Sequence, residues 1–281
     1  MIIGGQVAHA PTRAASTLLS TPGSYESAII RAMAETTCPN CGGTGWKIVQ
    51  KEDVSGAERC DCLFGERSKR LEERANIPPL YRNASFDTFV LPRDNPTGMR
   101  ELSNVMTAVR AFTREFPVGG RPGLLLIGDP GTGKTHLAVA ALRTLMARGF
   151  EGLFFDYQHL LDRIQKGWDA TSGSSDREAY SSALEAEILL LDDLGARRVS
   201  EWVEDTVASI VTYRCNNRKP LIATTNLADD NVDDSMLEGK RYKVSLAERI
   251  GSRARSRLFE MCKLVRIRGV EDYRLRKSQA V

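Results

Sequence analysis

From Gly123 onward, short and continuous apolar runs recur along the chain: Leu124-Leu125-Leu126-Ile127, Leu153-Phe154-Phe155, Ile188-Leu189-Leu190-Leu191 and Leu221-Ile222-Ala223. Each is of strand length and apolar on both faces, the pattern of buried parallel strands. Segments of helix length, 134–149, 158–168 and 200–217, lie between them. Strands alternating with helices predict an α/β fold with a parallel sheet and right-handed crossovers. Leu264-Val265-Arg266-Ile267 alternates instead, which predicts a strand at the sheet edge. Residues 169–180 open with Asp-Ala-Thr-Ser-Gly-Ser-Ser and predict a mobile loop.

Ahead of Gly123 the pattern is different. Residues 1–23 are small, polar and broken by Pro and Gly, which predicts little structure, and 24–36, through Ile29, Ile30 and Met33, predict a short helix. Residues 64–76 are charged and free of Gly and Pro after Gly65, so a linking helix is expected there, stopped by Pro78-Pro79. The expected division is an N-terminal segment at 1–37, a metal module with its linking helix at 38–75, and the α/β domain at 76–281.

Composition narrows the class. With 281 residues, 42% hydrophobic and 27% charged, the chain excludes fibrous, coiled-coil and wholly disordered classes. No apolar run reaches membrane-spanning length, and Met1–Ser20 lacks the pattern of a signal peptide, so no membrane association is expected. Six cysteines are too few for a disulfide scaffold, and the expected location is a reducing cytoplasm. The net charge is only +3, yet residues 249–277 carry ten Arg and Lys against Glu260, Glu271 and Asp272. An acidic stretch of Asp229, Asp230, Asp233, Asp234 and Glu238 precedes them, and such asymmetry suggests surfaces that meet charged partners.

Three clusters carry chemistry. Gly128-Asp129-Pro130-Gly131-Thr132-Gly133-Lys134-Thr135 fits G-x-x-x-x-G-K-[ST] between an expected strand and an expected helix. Its glycines let backbone N–H groups close around phosphate oxygens, and the helix N-terminus adds its positive end. Lys134 reaches the β- and γ-phosphates of ATP, the Thr135 hydroxyl ligates Mg²⁺, and His136 is counted with this nucleotide-binding run. The run Ile188–Leu191 ends in Asp192-Asp193. Asp192 takes the Mg²⁺-holding role of a strand-end acid, and Asp193 is placed to orient or deprotonate the attacking water. Asn226, ending a further strand after Thr224-Thr225, is a candidate for the γ-phosphate or that water.

Cys38-x₂-Cys41-x₁₈-Cys60-x-Cys62 supplies four thiolates in two close pairs, a closed tetrahedral set for structural Zn²⁺. Gly42-Gly43 allows the tight turn, and a segment this short gains its folding energy from the metal. On the helix at 158–168, Arg163, Lys166 and Trp168, with Tyr157 just ahead, offer a basic and aromatic grip for single-stranded DNA, or else a core-packed helix face.

Taken with Thr224-Thr225-Asn226-Leu227, Ser256-Arg257-Leu258 and Gly269-Val270-Glu271-Asp272-Tyr273-Arg274, these motifs resemble AAA+ ATPases. The nearest branch is the bacterial replicative helicase loaders of the DnaC/DnaI type, with the transposition helper IstB as a cousin. Asn76 to Phe86 resembles the segment that leads into the ATPase core of those loaders, so the resemblance spans roughly 76–276. It implies an AAA+ core that hydrolyses ATP to ADP and phosphate, with a minimal lid, since only residues 275–281 follow Arg274. It implies that Arg257, or Arg253 one turn earlier, is an arginine finger acting on a neighbour's ATP, and that Arg274 acts on the chain's own. The implied partners are a DnaB-type helicase docked by the zinc module, single-stranded DNA, and further copies in head-to-tail contact. The IstB-like alternative is a transposition helper on duplex DNA.

Overall fold

The computed structural model describes residues 38–41, 44, 46–51, 54–117, 120–167, 174–229 and 244–275. The expected helix at 24–36 lies outside them. Two compact units divide between Cys62 and Leu63.

In the first unit a turn runs from Cys38 to Cys41, closed by the Cys41 N–H on the Cys38 carbonyl. A hairpin follows, β1 (Trp46–Lys51) and β2 (Val54–Arg59), antiparallel with Trp46 opposite Arg59 and Lys51 opposite Val54. Its open end therefore returns the chain to where it entered, and Cys60 follows directly on β2. The hairpin was not expected from the sequence, because its polar strands alternate too weakly to read as a sheet.

The second unit opens with α1 (Asp61–Arg74, whose first two residues fall in the other unit), a 3-10 turn at Pro79–Tyr81 and α2 (Pro96–Glu115). The α/β core follows in the order β3 (Gly123–Gly128), α3 (Lys134–Ala147), β4 (Gly152–Asp156), α4 (Tyr157–Gly167) and α5 (Ser174–Glu185). Then come β5 (Ile188–Asp192), α6 (Glu201–Asn216), β6 (Leu221–Thr225), α7 (Leu246–Ile250), α8 (Ser252–Met261) and β7 (Cys262–Ile267). The sheet order is β4-β5-β6-β3-β7 and every pairing is parallel, so all five strands end on one rim. The alternating strand β7 does lie at an edge.

The continuous apolar runs are continuous because the sheet is covered on both sides. Leu125, Leu189, Leu191 and Ala223 pack with α4, α6 and α8, while Leu124, Leu126, Leu190 and Ile222 pack with α2 and α3. Burying both faces of a strand leaves no polar alternation to read.

Two helices correct or extend the sequence reading. Residues 174–185 form α5, not loop: Ala179 and Ala183, one turn apart, are buried against the core, and Tyr180 and Leu184 pack beside them. The Ser-rich start hid this 3.6-residue period. The helix α2 was not expected, although Asn95 caps it by accepting the Gly98 N–H at 2.8 Å and Pro96 begins it. Leu102, Val105, Val109 and Phe112 form its buried stripe.

One buried cation ties three elements together. Arg214 of α6 is fully buried, and its guanidinium donates to the carbonyls of Ala183 and Leu184 in the last turn of α5, of Ala186 just past it, and of Pro220 before β6. These are the carbonyls that a helix C-terminus leaves unpaired. Burial pulls the guanidinium's pKa down to about 10. Arg214→Met should lower unfolding stability by about 3 kcal/mol or more, because it orphans several buried carbonyls at once. Urea titration checks this, and a loss below about 1 kcal/mol would mean that the carbonyls find other donors.

Candidate nucleotide site

At the rim, β3 runs into the loop Gly128–Gly133 and α3 begins at Lys134. Gly131 and Gly133 hold left-handed φ values of +73° and +92°. The space beside each is taken: a Cβ at Gly131 would overlap the Asp272 carboxylate, and one at Gly133 would stand 2.6 Å from the Phe89 ring. Both conformation and clearance therefore demand glycine. Thr132 Oγ1 donates to the Asp129 carbonyl at 2.8 Å, and Lys134 Nζ donates to the same oxygen at 2.7 Å. Burial lowers the Lys134 pKa to about 8, against the pull of Asp193, Asp192 and Asp129. His136, the next but one in α3, turns toward the lead-in segment. Its Nε2 lies 2.9 Å from the Ser85 carbonyl and 3.3 Å from Thr88 Oγ1, and its ring meets Phe89 edge to face.

Opposite the loop, β5 presents its two acids. Asp192 accepts hydrogen bonds from Thr135 Oγ1 at 2.9 Å and from Thr224 Oγ1 at 2.7 Å. Burial pushes its carboxyl up, and those two hydroxyls hold it down. Asp193 has φ +57°, unusual for a residue with a side chain. Its N–H donates to Thr224 Oγ1 at 2.9 Å, and its Oδ1 accepts from Asn226 Nδ2. Burial raises the Asp193 pKa as well, Lys134 opposes this, and Asp156 adds to it. Asp193 thus combines an uncommon backbone conformation with a carboxyl held above its usual range.

The loop, the acids and Asn226 line one cavity of about 800 Å³. One wall comes from the lead-in segment through Leu80, Tyr81, Phe89 and Val90, and another from Val270, Tyr273 and Arg274. This cavity gathers the loop from Pro130 to His136, Asp192, Asp193, Asn226 and Arg274. Arg257 is not among its lining residues: it sits on α8 with Glu260 Oε2 at 2.6 Å. Arg253, one turn before, is exposed. The sequence reading missed Asp156 and Phe89, and it quoted Thr224 and Asp272 within motifs without giving either a role. Asp156 ends β4 directly opposite Asp192, and an acid after Leu153-Phe154-Phe155 was the available signal. Phe89 carried none, being brought in by the chain's path.

The nucleic-acid reading of α4 needs one correction. Tyr157 is 1% exposed, so it packs in the core and cannot stack on a base. Arg163 lies over the Phe155 ring at 5.9 Å, and Trp168 lies outside the described residues.

In the first unit the sulfurs of Cys38, Cys41 and Cys60 lie within 4.8 Å of one another, with Cys38 and Cys60 at 3.7 Å. Tetrahedral thiolates on zinc, with arms near 2.3 Å, stand about 3.8 Å apart, so this spacing suits metal ligation and is far too long for a disulfide. The Cys62 side chain lies outside the described residues.

A family model for IstB-like ATP binding proteins matches residues 117–281. The chain belongs to the IstB-like ATP-binding family. Within the AAA+ ATPases this member is of the DnaC type. It is 25% identical to the replicative helicase loader DnaC of Escherichia coli K12 over 187 residues, 65% of this chain and 73% of that protein. It is 24% identical to the phage-like element PBSX protein XkdC of Bacillus subtilis over 240 residues, 83% and 82% of the two chains. A crystal structure of the DnaC helicase loader aligns with a TM-score of 0.55 and 33% identity, over 68% of this chain and all of that one. Among the described residues no helix is long and apolar enough to cross a membrane.

For this IstB-like protein the lowered Lys134 pKa predicts a pH limit on nucleotide affinity. Below about pH 8 the ammonium is already protonated and binding needs no proton uptake. Above it, affinity should fall by up to about tenfold per pH unit until the ordinary lysine range is reached. Lys134→Arg should bind with a flat profile from pH 8 to 10, as read by a fluorescent nucleotide titration. A flat wild-type profile would place the phosphate-binding cation elsewhere.

Proposed function

We propose that this protein is an ATP-dependent loader of the replicative helicase, which binds a DnaB-type ring and assists its placement on single-stranded DNA. The observation that carries the reading is the assembled phosphate loop and acid pair in a chain similar to DnaC over most of DnaC's length. Residues 76–281 form the ATP- and DNA-handling part, and the module within 38–75 docks the helicase.

The residues present fit MgATP. The glycine positions leave a cradle no Cβ can enter, Lys134 and the N-terminus of α3 supply positive charge, and Thr135 and Asp192 together form an oxygen donor set for Mg²⁺. When bound, Mg²⁺ neutralises charge on the β- and γ-phosphates. Asp193 accepts the proton of the attacking water as it bonds to the γ-phosphorus, ADP departs, and Asn226 steadies the carboxylate through its amide. Arg274 faces the chain's own nucleotide. Arg257, outside the cavity lining and on an accessible helix, serves a neighbour's, which makes the assembly head-to-tail. Such an interface propagates as a ring or spiral that matches a hexameric helicase.

The test is affinity capture of the full chain from its host extract with ATP present. A hexameric helicase should be recovered, and the capture should weaken when ATP is replaced by ADP. In the purified protein Asp193→Asn should bind ATP and lose turnover by at least about a hundredfold. Recovery of a transposase would favour the transposition-helper reading, to which the family match also gives support. Unchanged turnover in Asp193→Asn would sink the catalytic assignment.

The same proposal assigns Zn²⁺ to Cys38, Cys41, Cys60 and Cys62. The sulfur spacing of Cys38, Cys41 and Cys60, and the hairpin that carries the chain from the first pair to Cys60, support it. One zinc per chain is expected by elemental analysis, and Cys60→Ser should lower that content and abolish helicase capture while ATP binding persists. Metal-free protein that still captures helicase would overturn the assignment.

A further inference from the structure

The segment after β7 lies directly on the phosphate loop. The Tyr273 N–H donates to the Gly131 carbonyl at 3.0 Å. Beside it the Asp272 carboxylate occupies the space that a Cβ on Gly131 would need. One oxygen of that carboxylate, Oδ1, accepts both the backbone N–H of Arg274 at 2.9 Å and its Nε at 3.2 Å. Arg274 lines the nucleotide cavity, yet its side chain is 70% exposed, whereas that of Asp272 is 24% exposed. A long exposed side chain samples many rotamers, and each one lost on binding reduces affinity. Engaging Nε removes much of that freedom and leaves the two terminal nitrogens of the guanidinium as donors for a phosphate.

We propose that Asp272 is a positioning residue, which aims the Arg274 fork at the phosphates and ties that aim to the loop through Gly131. Gly131 thus serves two ends: its conformation shapes the phosphate cradle, and its missing side chain admits the carboxylate that orients the arginine. The inference rests on the ATPase reading above, and its test separates the two.

Four variants decide it: Asp272→Ala, Asp272→Asn, Arg274→Ala and the double variant Asp272→Ala with Arg274→Ala. Affinities for ATP and ADP and the steady-state kcat and KM are measured on the full chain. Asp272→Ala should lower kcat and the preference for ATP over ADP by about ten- to a hundredfold, the size of one charge-assisted contact. ADP affinity should be undiminished, since the loop itself is intact. The double variant should be no worse than Arg274→Ala alone, because both changes remove one interaction. Asp272→Asn keeps the bulk and an acceptor oxygen, so it should retain part of the effect and serves as the folding control. Equal weakening of ATP and ADP, or losses that simply add in the double variant, would overturn the proposal. A wild type that binds without turnover would defeat the hydrolysis reading alone. The affinity ratio then still decides Asp272: its loss in Asp272→Ala supports the role and an unchanged ratio refutes it.

Discussion

The hydroxyl of Thr224 is the point on which the site turns. It donates to Asp192 at 2.7 Å and accepts the amide of Asp193 at 2.9 Å, so one buried side chain on β6 sets both acids that end β5. Asp192 in turn accepts from Thr135 at the start of α3. Three elements that are far apart in the chain thus meet around one carboxylate. This is possible only because β3, β6 and β5 are adjacent, parallel and in a register that ends them together. A one-residue slip of β6 would turn Thr224 to the opposite face, and the slip that sets Ala223 in its place would take that hydroxyl from the half-buried Asp192, an expensive outcome for a charged group.

Around that fixed point the walls are contributed by segments with little structure of their own. The lead-in segment from Leu80 to Val90 and the segment from Val270 to Arg274 approach the loop from two sides, and each is admitted by a glycine. Phe89 fills the space beside Gly133, and Asp272 fills that beside Gly131. The phosphate loop is therefore the place where these outlying segments are registered against the core. Its glycines answer to neighbours as well as to phosphate.

The electrostatics follow the same geometry. Three carboxylates, Asp156, Asp192 and Asp193, gather at adjoining strand ends, and burial raises the latter two. Lys134 lies among them with its own pKa lowered, and it donates to the carbonyl of Asp129. A site of this kind is poised between charges that are costly to bury, and a ligand bringing both phosphates and a divalent cation relieves both sides at once.

Much of this is legible in the sequence, for a reason that differs from element to element. The phosphate loop is contiguous, so its spacing and its flanking strand and helix could be read directly, as could the Asp192-Asp193 pair at the end of an apolar run. Buried parallel strands announce themselves by unbroken hydrophobicity, and β7 by its alternation. The cysteines were legible as two close pairs. What the sequence left open depended on partners distant along the chain. The Ser-rich helix α5 is held by Arg214 and by alanines too small to signal a core, and α2 was masked by the irregular stretch around it. Asp156 becomes part of the site only because β4 pairs with β5, and Thr224, Phe89 and Asp272 act only through the residues they touch. Local spacing determines local chemistry. Which side chains share a carboxylate, and which glycine makes room for them, is decided by strand order and register, which no local pattern encodes.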